Sequence, residues 1–111
     1  MQKKRYEVRV SKDFEREFIK LVKRDPELKR RLESRIEELS IDPRLGTTLY
    51  KWDYQGWRKA RVGEYRIILG VCEECRQIRN PNLQRCIDCD QMTDNLVKLI
   101  EVGHRNDVYD D

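Results

Sequence analysis

The stretch Trp57 to Arg66, WRKARVGEYR, decides the fold of this chain and the surface it offers a partner. Alternation along a strand puts Lys59 and Arg61 on one face and Ala60 and Val62 on the other. The strand is therefore cationic on one side and apolar on the other. It gathers positive charge beside a sheet, where a phosphate group could lie.

Two further strands are predicted downstream of this stretch. Gly63-Glu64 predicts a tight turn into a strand over Tyr65 to Val71, and residues 95–102, NLVKLIEV, predict an interior strand that is apolar on both faces for much of its length. Antiparallel pairing of these two strands would bring Arg66 close to Arg105.

Upstream, the apolar positions predict one strand followed by two helices. Tyr6 to Val10 alternates apolar and charged residues, as a strand buried on one face does. Ser11 and Asp25 are predicted helix N-caps, and Pro26 suits the first turn of the second helix. The apolar stripes of the two helices are Phe14, Phe18, Leu21 and Val22, and then Leu28, Leu32, Ile36 and Leu39. The predicted class is α+β in the order β-α-α-β-β-β, a helical hairpin packed on a small antiparallel sheet.

Composition predicts a single domain over residues 1–111 with an uneven charge. The chain has 111 residues, of which 41% are charged, and a net charge of +3. Residues 1–66 carry 19 Lys and Arg against 12 Asp and Glu, whereas residues 67–111 carry 5 against 9. The basic half could face nucleic acid, although the charges of residues 12–44 also suit a solvated helix surface. The chain has no long apolar run and no signal-peptide pattern, so we expect a cytoplasmic protein.

Four cysteines predict a metal site in an insertion at residues 72–93. The spacing is Cys72-x2-Cys75, ten intervening residues, and Cys86-x2-Cys89. Two CxxC knuckles suit tetrahedral Zn²⁺. The alternative is two disulfides or free thiols, and a reducing cytosol disfavours the disulfides. Four protein ligands leave no open position, so the zinc is expected to be structural. Six strand residues at ~3.3 Å each separate it from Arg66 by roughly 20 Å. The knuckle arginines Arg76, Arg79 and Arg85 offer a docking role as well.

The order and spacing of two motifs resemble the RelE/ParE toxin superfamily. Residues 59–68, KARVGEYRII, are similar to its arginine-glycine-acid-tyrosine-arginine strand pair, and Val102-Gly103-His104-Arg105 followed by Val108-Tyr109 resembles its C-terminal motif. The resemblance covers the chain except for the cysteine insertion.

This resemblance implies a site and a reaction. RelE-type members cut mRNA in the ribosomal A site without a metal, using the 2′-hydroxyl as nucleophile. Position by position, the resemblance gives catalytic roles to Lys59, Arg61, Arg66, Arg105 and Tyr109. Fixed cations there would stabilise the charge that builds up on the phosphorane oxygens.

The identity of the general base stays open between two residues. Lys59 would serve if the neighbouring Arg61 and Arg66 favour its neutral form. His104 is the second candidate because histidine is the commonest general base near neutral pH, although a regular strand would point it away from Arg105. Tyr109 would stack on a base or donate a proton, or else pack on the sheet edge. Arg58 and Glu64 are expected to be turn and surface residues.

Two other functions fit the same resemblance. ParE-type members poison DNA gyrase and generally lack the full basic and tyrosine set, so the set present here favours the nuclease. A catalytically decayed, zinc-containing RNA-binding domain is the third possibility. The partners implied by the resemblance are the ribosome with its mRNA and a small cognate antitoxin that covers the basic site.

Overall fold

The computed structural model describes residues 6–49, 56–74 and 95–104. The helices are α1 (Lys12–Val22) and α2 (Pro26–Ile41), and a 3-10 turn (Pro43–Leu45) follows α2. The strands are β1 (Glu7–Val10), β2 (Thr47–Thr48), β3 (Arg58–Val62), β4 (Tyr65–Val71) and β5 (Leu96–His104). They form one sheet in the order β1-β5-β4-β3-β2. The α+β class and the helical hairpin are therefore confirmed.

Both helices begin at the predicted caps. The Ser11 Oγ accepts a hydrogen bond from the Phe14 backbone N–H at 3.0 Å, and the Asp25 carboxylate accepts one from the Leu28 N–H at 3.0 Å. Each cap satisfies a backbone donor that has no partner within its helix. Pro26 lies in the first turn of α2, where its missing N–H removes no helical bond.

The hairpin of β3 and β4 forms as its sequence predicts. Arg58 to Val62 pair antiparallel with Leu69 to Tyr65, and Gly63 and Glu64 make the turn. Gly63 has a φ of 59°, which L side chains adopt only with strain, so glycine suits this position. The register places Arg61 directly opposite Arg66.

The sheet differs from the prediction in direction and in strand number. β1 pairs parallel with β5, so the sheet is mixed and not wholly antiparallel. A short hairpin turn fixes the direction of the two strands that it joins. β1 and β5 are far apart in sequence, and the alternation of apolar and charged residues carries no information on whether such strands pair parallel or antiparallel. The two-residue β2, which pairs with Lys59 and Arg58, was also not predicted.

A bulge in β5 changes which of its side chains face the helices. Ile68 pairs with Glu101 and Leu69 with Leu99, so Ile100 is left between them. The Ser11 Oγ donates a hydrogen bond to the Ile100 carbonyl at 2.8 Å, which ties the start of α1 to the bulge. An extra residue in one strand shifts the alternation beyond it.

The core lies between the helical hairpin and one face of the sheet. It comprises Phe14, Leu28, Leu32 and Leu39 from the helices and Ala60, Val62, Ile67, Leu69, Val71, Val97, Leu99 and Val102 from the strands. Phe18, Leu21, Val22 and Ile36 pack against it, as the predicted stripes require. No helix in the described part of the chain is long and apolar enough to cross a membrane.

The second face of the sheet, turned away from the helices, is buried in part. Ile68 is fully buried and Ile100 nearly so. Buried among these apolar residues are two cations, Lys59 at 4% exposure and Arg66 at 5%. The limits of the insertion at 72–93 stay a prediction, since only residues 72–74 of it belong to the described part.

Candidate functional site

Three predicted site residues share the second face of the sheet. Residues directly opposite one another in an antiparallel pair project to the same side. Arg61 and Arg66 are such a pair, and Lys59 lies on the same side because it is two residues from Arg61. We call Lys59, Arg61 and Arg66 the cationic face.

Arg66 is held by the turn that precedes it. Its Nη1 donates to the Gly63 carbonyl at 3.1 Å and to the Tyr65 carbonyl at 3.0 Å. Its neighbour on β5 is Gly103, which has no side chain. The guanidinium is therefore fixed in position before any ligand arrives.

The cationic face brings like charges together on neighbouring strands. Like charges directly opposite each other on paired strands are destabilising, and Arg61 faces Arg66 in this way. Glu101, opposite Ile68, places one carboxylate on the same face, with Lys98 further along β5. The cationic face thus carries cations from neighbouring strands beside one carboxylate, an arrangement that suits a phosphate.

His104 lies on the other face of the sheet. It pairs with Tyr65, so both side chains project to the side that carries the helices. The His104 Nε2 is 3.2 Å from the Glu64 Oε2, and its ring meets the Tyr65 ring edge-on, with centroids 5.7 Å apart. The sheet backbone therefore separates His104 from the cationic face. Beyond the bulge, β5 stays paired with β4 from Glu101 to His104, and this register gives the direction of the His104 side chain.

The remaining predicted residues of the site lie outside the described part of the chain. These are Arg105 and Tyr109. The register gives only the starting point for Arg105: Arg66 pairs with Gly103, two residues before it.

Of the four predicted zinc ligands, only Cys72 lies in the described part of the chain. Cys72 is buried and begins a helical turn over residues 72–74, directly after β4. Cys75, Cys86 and Cys89 lie outside the described residues. Within residues 6–49, 56–74 and 95–104 there is no group of three side chains that could hold a metal ion.

Arg58 is not the surface residue that its sequence position predicted. Its Nε and Nη2 donate to the two carboxylate oxygens of Glu74 at 2.9 and 2.6 Å, and its Nη1 donates to the Gly46 carbonyl at 2.8 Å. The Arg58 side chain is only 14% exposed. The pair joins the helical turn at residues 72–74 to β3, and a residue between two cysteines gives no sequence signal for such a contact.

The arginines of α2 were also missed as a group. Arg31 and Arg35 line a cleft with Arg30 and with Arg61 of β3. The spacing of these arginines along α2 is the sequence signal that could have predicted such a group, but the same spacing suits a solvated helix surface.

Comparisons with known proteins agree with this architecture. Residues 8–79 match the family described as the ParE toxin of the type II toxin–antitoxin system, parDE. The fold is similar to a chain in the crystal structure of the RelBE2 toxin–antitoxin complex from Mycobacterium tuberculosis, with a TM-score of 0.64 and 23% identity over 91% of this chain and 92% of that chain. No curated protein sequence gives a significant match. Since the family match spans more than half of its residues, the chain belongs to the ParE/RelE family of toxins of type II toxin–antitoxin systems.

Proposed function

We propose that this toxin is a ribosome-dependent mRNA endonuclease that uses the 2′-hydroxyl of its substrate as nucleophile and needs no catalytic metal. The observation that carries the proposal is the opposition of Arg61 and Arg66 on one face of the sheet, with Lys59 beside them. Cations that project from neighbouring strands to one face can act together on the charge that develops on a phosphate.

The reaction is an in-line displacement at phosphorus. The 2′-oxygen attacks the adjacent phosphorus, the bond from phosphorus to the 5′-oxygen breaks, and a 2′,3′-cyclic phosphate and a 5′-hydroxyl result. Arg66 and Arg61 stabilise the charge on the non-bridging oxygens, and Arg66 is already held by two carbonyls. We assign Arg105 to the same task.

Proton transfer requires a base and an acid. Lys59 takes the 2′-proton, because it shares the cationic face with Arg61 and Arg66, while His104 projects to the other side. Tyr109 donates a proton to the departing 5′-oxygen. His104 instead braces the end of β5 through Glu64.

The partners follow from this reaction. The toxin acts in the cytoplasm on ribosome-bound mRNA. The similar chain from M. tuberculosis was crystallised in a toxin–antitoxin complex, and we propose that a small acidic antitoxin likewise covers the cationic face here.

A second candidate function is gyrase poisoning, because the matching family carries the ParE description. Two assays of the purified toxin distinguish these functions: one with ribosomes programmed with mRNA, and one with gyrase and supercoiled DNA. We expect mRNA cleavage on ribosomes, with Arg66→Ala lowering its rate about 100-fold. Identical behaviour of wild type and Arg66→Ala on ribosomes, together with inhibition of gyrase, would favour the second function.

We also propose that Cys72, Cys75, Cys86 and Cys89 hold one structural zinc ion. The burial of Cys72 and the anchoring of Glu74 by Arg58 support a fixed first knuckle. The bound metal would stabilise the insertion and take no part in cleavage.

A further inference from the structure

A second cluster of arginines lies at the edge of the sheet, between α2 and β3. A cleft of about 420 Å³ is lined there by Arg30, Arg31, Arg35, Arg61, Glu27, Glu38, Ser34 and Val62. We call it the arginine cleft. It holds four guanidiniums and two carboxylates, so two positive charges remain in excess.

Ion pairing accounts for only two of these arginines. Arg30 pairs with Glu27 at 2.5 Å, and this carboxylate raises the pKa of Arg30 through its hydrogen bond and its charge. Arg35 pairs loosely with Glu38 at 3.4 Å. Among the described residues, Arg31 and Arg61 have no carboxylate within ion-pair distance, and both are exposed.

One donor in the arginine cleft is buried without a partner. The Nε of Arg35 is inaccessible and makes no hydrogen bond in the described part of the chain. A buried donor left unsatisfied carries a desolvation penalty. The contact with Glu38 is made by Nη1 and leaves this Nε donor unsatisfied.

The arginine cleft is connected to the cationic face through the hairpin turn. A Cβ placed on Gly63 would lie 2.7 Å from the Arg31 Nη2, so the Arg31 guanidinium rests against this turn. The Gly63 carbonyl accepts from Arg66 on the other side. Arg61 belongs to both sites. A line of cations therefore runs from Arg35 and Arg31 past the turn to Arg66.

We propose that the arginine cleft binds the phosphate backbone of RNA beyond the scissile nucleotide, as a subsite separate from the reacting groups. This inference rests on the proposed nuclease function, because it identifies the strand entering the cleft with the substrate. The planar, forked guanidinium matches phosphate oxygens in pairs, and a line of such groups along an open cleft suits a chain of phosphates better than one small anion.

The test is RNA binding by the full-length protein with the double variant Arg31→Gln/Arg35→Gln. Affinity for a fluorescent single-stranded RNA is measured by anisotropy across a range of salt concentrations. Each phosphate contact of a single strand contributes about 0.7 to the slope of log K against log salt. We expect the double variant to bind about tenfold more weakly and to lower that slope by about 1.4. Arg31→Lys/Arg35→Lys, which keeps the charge, should retain the slope.

The matched control is Arg9→Gln/Arg16→Gln, which removes two exposed arginines remote from the arginine cleft. If it weakens binding and lowers the slope as much as the cleft variant does, net charge explains the effect and the proposal is wrong. The proposal would also be wrong if the cleft variant bound RNA as tightly as wild type but bound an acidic peptide more weakly than wild type does. The arginine cleft would then be a site for a protein. If wild type cuts no mRNA on ribosomes and the cleft variant alone loses RNA affinity, the proposed nuclease function fails and the RNA subsite stands.

Discussion

At the scale of single residues, we expect the face of the sheet on which a side chain lies to decide whether it takes part in the reaction. Lys59 and His104 were equal candidates for the base, and the register separates them by the thickness of the sheet. Lys59→Met, which keeps the side-chain length and removes the amine, should lower cleavage on ribosomes by roughly 100-fold or more. His104→Ala should leave the rate close to that of wild type, because His104 projects to the face that carries the helices, where it contacts Glu64 and Tyr65.

Single-turnover cleavage with saturating toxin measures this difference. A large loss in His104→Ala with a small loss in Lys59→Met would reverse the assignment. Both variants should be checked for unchanged unfolding, since Lys59 is buried.

Much of the residue pattern could be predicted because alternation is a local property. Lys59 and Arg61 lie opposite Ala60 and Val62 for that reason, and the stripe of Leu28, Leu32 and Leu39 follows helical spacing. The partner of Arg58 could not be predicted, because Glu74 is distant in sequence and its contact depends on where β4 ends. The burial of Lys59 and Arg66 likewise depends on the packed second face.

At the scale of elements, the ion pair of Arg58 with Glu74 ties the end of β4 to β3 and to the loop at Gly46. Its donors are aligned with both carboxylate oxygens, and both side chains are mostly buried. Arg58→Met leaves the carboxylate and the Gly46 carbonyl without this donor, so we expect the free energy of unfolding to fall by about 1–3 kcal/mol. Urea unfolding measures it.

The matched control is Arg16→Met, which breaks an ion pair whose two side chains are 62% exposed. Exposed pairs contribute little to stability, so this variant should unfold as wild type does. If the Arg58 and Arg16 variants had the same free energy of unfolding, the contact of Arg58 with Glu74 would not stabilise the attachment of residues 72–74 to β3.

The arrangement of elements was only partly available from sequence. The Gly63 turn fixes the hairpin, since a two-residue connection permits only antiparallel strands. The parallel pairing of β1 and the bulge at Ile100 arise from contacts between the two ends of the chain, such as the bond from Ser11 to Ile100. No local pattern specifies such contacts.

At the scale of the whole molecule, the metal and the reaction are expected to be independent. Arg66 lies near the start of β4 and Cys72 directly follows its end, so the strand keeps the two residues apart. Protein purified under reducing conditions should contain about one zinc per chain, and a chelated sample that stays folded by circular dichroism should still cut mRNA. Zinc-free protein with two oxidised cysteine pairs would contradict the first expectation, and loss of cleavage in a folded chelated sample would contradict the second.

The central claim is that the cationic face promotes attack by a 2′-hydroxyl of ribosome-bound mRNA. The most direct measurement maps the cut on an all-ribose message and then repeats it, with chelator present, on a message carrying a single 2′-deoxy nucleotide on the 5′ side of that cut. We expect a 2′,3′-cyclic phosphate end on the first message and no cut at that position on the second. Cleavage of the deoxy-substituted message at the same position, or no cleavage of either message, would contradict it.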